Sequence, residues 1–243
     1  MLIDNLGPAF RISLVPGIAY FLLSYLVAHL VLIPWLQNSA DGEPNSLIAV
    51  ILLFAGVVST IVLLCLVAVA WHRYVLVEEH PRPWGPKWNG PEITNYFFAS
   101  VRMIGGTMLI AVPLLIVFGV LSGLSGQGGF DNRQGGPLAF AFNVAIGYFS
   151  VRFSLALPAA AVGSYMRVFD SLRATKPFAG AVFIACLLIT LLTHIPNLLI
   201  GTLIESVLAG FAYFAIAGWL QIMLSVSLLT ALYGHIVEGR DLR

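Results

Sequence analysis

"LIAVILLFAGVVSTIVLLCLVAVA", Leu47–Ala70, contains no charged residue, and "WHRYVLVEEHPRPWGPKW", Trp71–Trp88, follows it directly. The first stretch is 24 residues long. As a helix rising about 1.5 Å per residue it is long enough to cross a hydrocarbon layer roughly 30 Å thick. The second gathers two arginines, a lysine, two histidines, two glutamates and three tryptophans. Charge and tryptophan placed directly after an apolar run are what a membrane helix carries where it meets water, because indole rings and cationic side chains favour the headgroup region. The prolines Pro81, Pro83, Pro86 and Pro91 prevent the helix from continuing unchanged.

The rest of the chain repeats this pattern. The protein has 243 residues, 59% hydrophobic and 9% charged, with a mean hydropathy of +0.94. A soluble domain carries about 25% charged residues, so there is too little polar surface here to cover a water-soluble globule. The apolar segments fall at approximately 14–36, 47–70, 103–124, 138–163, 178–197 and 210–234. Unpaired backbone groups cannot face lipid, and these runs lack the alternation of a barrel strand, so each is expected to be helical. The predicted fold is an all-α, polytopic transmembrane helical bundle of about six spans with short interfacial helices, a single integral membrane domain over 1–243. The first run is too long for a secretory signal peptide and reads as a retained span. "PEITNYFFASVR", Pro91–Arg102, sets Ile93, Tyr96, Phe97 and Val101 on one predicted face, either along the membrane surface or extending the third span. The segment 198–209 reads as an interfacial helix or a lead-in to the sixth span.

With six spans both termini share a side. Arg11, Arg73, Arg82, Lys87, Arg102, Arg167, Arg173, Lys176, Arg240 and Arg243 then lie together, with only Arg133 opposite and Arg152 inside a span. Ten against one predicts cytoplasmic termini in a bacterial inner membrane. A formal net charge of +1 with no run of like charge gives no reason to expect nucleic acid as a partner. Membrane lipids are expected partners, with anionic headgroups met by Arg82 and Lys87 at the cytoplasmic face.

"WHRYVLVEEHP", Trp71–Pro81, and "VRFSLALPAAAVG", Val151–Gly163, together resemble a family of proteobacterial six-span inner-membrane proteins. That family is itself distantly similar to the membrane domain of some glycerophosphodiester phosphodiesterases. "SLRATKP", Ser171–Pro177, stands where the family has a further loop motif, without the Gly–Asn pair often found after its threonine. The resemblance implies a six-helix membrane bundle. It implies no reaction.

Among single residues Arg152 carries most information. It lies near the middle of the predicted fourth span, where an arginine costs roughly 2.5–3.5 kcal/mol to insert. It is expected to face the bundle interior, with Tyr148 one turn away, and either to contact an anionic headgroup or substrate or to bond a neighbouring helix's carbonyls. Arg73 and His72 are further candidate lipid or ligand contacts at headgroup depth, in a cluster with His80, Glu78 and Glu79 that reads as a solvated face. Asn143, Gly147, Ser150, Ser154 and Pro158 form a small, polar stripe on the fourth span. His29 and His194 lack a second ligand at i+3 or i+4, so no metal is expected, and no motif calls for a cofactor. Gln221 is expected to bridge helices, and Glu205 to lie near the outer surface. The small residues Ala55, Gly56, Ser59 and Thr60, and Gly105–Gly106, mark places where helices approach closely. Cys65 and Cys186 are expected to remain unpaired thiols. No catalytic pair is present in any span, so an enzyme is not expected. The expected role is a scaffold or accessory membrane protein, packing against lipid or within a larger membrane complex or homo-oligomer. The alternative is a small transporter or lipid-handling protein using Arg152 as an anion contact.

Overall fold

The computed structural model describes residues 2–40, 47–124, 137–203 and 207–241. Arg133, Glu205, Arg243 and the side chain of His194 lie outside the described residues, as do most of the predicted turns at 38–46 and 125–137. The described chain is all-α apart from one isolated bridge between Arg82 and Gly85.

Helix α1, Leu6–Val27, passes through one wide π turn, Ala28–Leu32, into α2, Ile33–Ala40. Helix α3 covers Leu47–Leu76 and α4 covers Gly90–Leu124. Helices α5, Pro137–Phe153, and α6, Ala156–Ala161, share the fourth predicted span. Helix α7, Val168–Ala174, leads through a short 3₁₀ turn, Lys176–Phe178, into α8, Ala179–Leu203, and α9 covers Val207–Ile236. Five helical stretches are long and apolar enough to cross a membrane, and Val168–Ala174 with Lys176–Leu192, bent by 52°, makes a sixth. The large apolar side chains that remain exposed, such as Phe54 at 70% and Leu109 at 69%, face outward as lipid-facing groups do. The protein is a multi-helix membrane protein.

Several boundaries differ from the sequence reading, each for a physical reason. Helix α3 continues six residues past the apolar run because Trp71, His72 and Leu76 are buried by neighbouring helices. Helix α4 begins at Gly90, so Pro91–Arg102 extends the third span; Ile93, Tyr96 and Ala99 turn inward, while Phe97 and Val101 are exposed. Helix α8 runs on through Pro196 to Leu203, so the first half of 198–209 belongs to the fifth span.

The fourth span is broken rather than continuous. Pro158 has no N–H to give Ser154, four residues earlier, and its ring crowds that carbonyl. Leu157 N–H takes the Ser154 carbonyl instead, at 2.9 Å, and the helix breaks at residues 154 and 155. Beyond the break α6 is a six-residue plug, "ALPAAA", every residue of which is buried. Its small side chains allow α3, α4 and α9 to pack against it. It ends at Gly163, whose φ of +80° is the left-handed turn that glycine adopts without a Cβ clash.

Helices α1 and α3 form another close pair, centred on Gly56. A Cβ built there would lie 2.6 Å from Val27 Cγ2, and a β-branched valine cannot rotate freely out of the way. Gly56→Ala is therefore expected to destabilise the α1–α3 pair by about 1–3 kcal/mol, the usual range for overpacking. Gly105→Ala, where a Cβ meets nothing within 4 Å, is the matched control. Thermal unfolding in detergent distinguishes them, and equal midpoints would show that the two helices separate without strain.

Candidate functional site

Every helix leaves its last carbonyls without an intrahelical partner, to be met by donors from side chains or water. At one end of this bundle three arginines supply them, each reaching a helix other than its own. Arg73, in the last turn of α3, donates from Nη1 to the Ala161 carbonyl that closes α6, at 3.2 Å. Arg152, in the last turn of α5, donates from Nη2 to the Leu172 carbonyl in α7, at 2.8 Å. Arg240, just beyond α9, donates from Nη2 to the Leu76 carbonyl that ends α3, at 2.6 Å. A guanidinium suits this task because it is always charged and its donors are held in a planar fork, and a cation at a helix C-terminus also opposes the negative end of the helix dipole.

Around Arg73 a compact ion network forms. Its Nε donates to Glu79, and its Nη1 lies 3.5 Å from a Glu92 oxygen. Lys87 Nζ lies 3.5 Å from Glu79, and the Asn89 amide donates to the same carboxylate at 3.3 Å. Glu78 and His80 are exposed as a solvated face would be, whereas Glu79, only 17% exposed, folds back and is pinned by charge. Burial by itself raises the Glu79 carboxyl's pKa. The Arg73 and Asn89 hydrogen bonds and the charges of Arg73 and Lys87 outweigh burial and hold it below its ordinary value of 4.5. A carboxyl whose pKa is lowered by folding adds stability that is complete above the unfolded value and is lost as pH falls through the folded one. Stability should therefore decline as the pH drops below 4.5, and Glu79→Gln should be less stable at neutral pH with a shallower acid decline. Unfolding midpoints across an acid pH series check this. Parallel curves for the two proteins would rule out the linkage.

His72 lies away from this network. It is fully buried and pairs with α9, with Nδ1 2.8 Å from Thr230 Oγ1. That hydroxyl already donates to the Val226 carbonyl at 2.7 Å, so it accepts from His72. Nδ1 therefore carries the proton and Nε2, which has no hydrogen-bond partner, is a bare acceptor. His72 is thus turned into the bundle, where its ring fastens α3 to α9.

Arg152 lies at the level of α7, at the same basic end as Arg167, Arg173 and Lys176, because the break after α5 brings the 168–178 segment over it. Besides Leu172, its Nη1 donates to the Tyr148 hydroxyl at 3.1 Å and its Nε to Thr175 Oγ1 at 3.1 Å. The guanidinium also stands 5.3 Å from the Tyr148 ring centroid. Ser171, fully buried, bridges the break itself: its Oγ donates to the Arg152 carbonyl at 2.6 Å and accepts from Leu155 N–H at 3.1 Å. Arg73 and Arg152 thus flank α6, one at each end, while Tyr148 stays with Arg152 and His72 stays with α9.

No local sequence signal marks Glu79, Asn89 and Glu92 as partners of Arg73, or Thr230 as a polar anchor, whereas Ser171 and Thr175 fall within "SLRATKP". Gln221 is exposed rather than bridging helices, and His29 is exposed with its ring 4.3 Å from that of Tyr25. Cys65 and Cys186 are free and buried. No group of three or more metal-ligating side chains gathers among the described residues.

Two cavities open between helices. One of about 240 Å³ lies among α1, α3 and α9 and is lined by Pro16, Tyr20, Leu63 and Met223, with Trp219 Nε1 donating to Ser13 Oγ at 2.7 Å beside it. The other, about 310 Å³, lies among α4, α5, α6, α8 and α9. The small, polar stripe of the fourth span is divided by the break: Gly147, Ser150 and Ser154 line this second cavity, Asn143 is exposed, and Pro158 is buried in α6. No protein-family model, curated protein or solved structure matches the chain.

Proposed function

We propose that this chain is a non-catalytic accessory protein of a bacterial inner membrane, with both termini cytoplasmic, that packs against lipid and within a larger membrane assembly. One observation carries the reading. The guanidinium groups of Arg73, Arg152 and Arg240 each end on a helix carbonyl of the protein itself. The charge of the two most distinctive motifs is thereby taken up in bracing the fold, and neither motif presents a nucleophile paired with a base. The resemblance to the proteobacterial six-span family, itself distantly similar to phosphodiesterase-linked membrane domains, fits a bundle whose motifs are structural. A lipid-handling role is the second reading, favoured by the 310 Å³ cavity rather than by Arg152, whose Nε, Nη1 and Nη2 all have protein partners.

Native mass spectrometry of the gently solubilised protein tests the first reading against the second. A polypeptide co-purifying at fixed stoichiometry, or a homo-oligomer, supports the accessory role. A lone chain whose vesicles move lipid between leaflets overturns it. For orientation, reporter fusions after residues 90, 172 and 243 are expected to report cytoplasmic, and those after 45 and 130 external. An external C-terminus would overturn the topology.

A further inference from the structure

The 310 Å³ cavity owes its existence to a gap in the packing. Helix α8 packs on α5, and α9 on α3, α6 and α1, while α8 and α9 have no substantial mutual packing among the described residues. Between them lies a cleft walled by Gly147, Ser150, Ile189, Thr190, Ser225 and Leu228. From Ser154 to Gly147 it extends about 10 Å along α5 at 1.5 Å per residue. Beyond its basic end the Phe178 ring stands edge-on to His235, with centroids 5.4 Å apart. The outer faces of both helices are apolar and exposed, with Leu188 and Leu192 on α8 and Ile216 and Leu220 on α9.

The lining selects the occupant. The Thr190 hydroxyl donates to the Cys186 carbonyl at 2.8 Å and that of Ser154 to the Val151 carbonyl at 2.7 Å, so both donors face their own helices. A water needs two to four polar partners, and the remaining wall hydroxyls are only those of Ser150 and Ser225. A hydrocarbon chain needs none. Toward that end Lys176, two residues before Phe178, is exposed, and its ammonium has no hydrogen bond or ion pair among the described residues. We infer that the α8–α9 cleft binds one acyl chain of an anionic phospholipid from the leaflet at the basic end, with its phosphate met by Lys176. This deepens the lipid-packing part of the proposed function and does not depend on a protein complex.

The test uses the full chain reconstituted in vesicles of phosphatidylethanolamine and phosphatidylglycerol. A minor fraction of either lipid carries a photoactivatable diazirine midway along one acyl chain, and adducts are mapped by peptide mass spectrometry. Adducts are expected to concentrate on Ile189 and Leu228 over the outward-facing Leu188 and Ile216. Gly147→Phe fills the cleft, since a Cβ at 147 meets nothing within 4 Å. Leu228→Trp fills it from the opposite wall. Each is expected to abolish the cleft adducts with the melting temperature unchanged. Lys176→Gln is expected to reduce phosphatidylglycerol labelling to the phosphatidylethanolamine level. Even labelling of outer and cleft faces overturns the inference, as does cleft labelling that persists in both filled variants or crosslinks showing a second polypeptide in the cleft. The wild-type map alone decides the matter if neither variant folds. Loss of the accessory reading through a lone chain in native mass spectrometry leaves this result standing, and uniform labelling leaves the accessory reading standing.

Discussion

Arg73→Met is expected to lower the unfolding free energy of the detergent-solubilised protein by about 2–3 kcal/mol, the largest effect of any single charge removal in this fold. Breaking a buried pair by removing one partner costs about 3–5 kcal/mol because the other charge stays buried and unpaired. Here the arginine is 21% exposed, and Lys87 and Asn89 still contact Glu79 after the change, so solvent and the remaining partners moderate the loss. The Ala161 carbonyl at the end of α6 also loses its cross-helix donor. Arg73→Lys should recover only part of the loss, since one ammonium cannot reach Glu79, Glu92 and a carbonyl with the geometry of a planar fork. Arg73→Met combined with Glu79→Gln should be more stable than Arg73→Met alone, because the stranded carboxylate is gone. Unfolding curves of the four proteins check this. An unchanged midpoint for Arg73→Met would show that the network adds nothing to the fold.

The same network shows how far the sequence is legible. Hydropathy locates the spans because twenty or so consecutive apolar residues have few alternatives to crossing a membrane. It misses where α3 ends, since the six residues from Trp71 to Leu76 look like a wet interface and are helical because α6 and α9 bury them. His72 and Thr230 are 158 positions apart, and no local pattern joins them. The Tyr148–Arg152 contact is legible, because i and i+4 lie one helical turn apart. The broken fourth span is legible in part. Pro158 announces a weakened helix, yet a proline inside a membrane helix often only kinks it, and Pro16 and Pro113 are carried inside α1 and α4 without a break. What turns the kink into a break is Ser171, whose hydroxyl gives Arg152 O and Leu155 N the partners they lack, and which arrives from 16 residues beyond Leu155. Once the span breaks, Ser171, Leu172 and Thr175 come within reach of Arg152, and the balance shifts from a ligand contact to a brace.

That balance makes Arg152→Leu the second large effect. The substitution favours insertion, since an arginine within a membrane span is costly to insert and leucine is favourable there. The protein should therefore reach the membrane in full amount. Once folded it lacks the donors to Leu172 O, Thr175 and Tyr148, and hydrogen bonds from charged groups contribute about 1.5–3 kcal/mol each. Partial exposure of the site discounts the three lost bonds, and a net destabilisation of at least about 2 kcal/mol is expected, read as a lower melting temperature in detergent. Ser171→Ala should cost about 1–3 kcal/mol by a separate route, leaving the buried Leu155 N–H without an acceptor. Because both residues hold α7 against the break, the double substitution should cost less than the sum of the two, as coupled neighbours do. Co-purifying anionic lipid should be unchanged in Arg152→Leu if the guanidinium is a brace, since no donor group is then withdrawn from a headgroup. Loss of that lipid at an unchanged melting temperature would instead make Arg152 an anion contact and remove the main support for a non-catalytic accessory role.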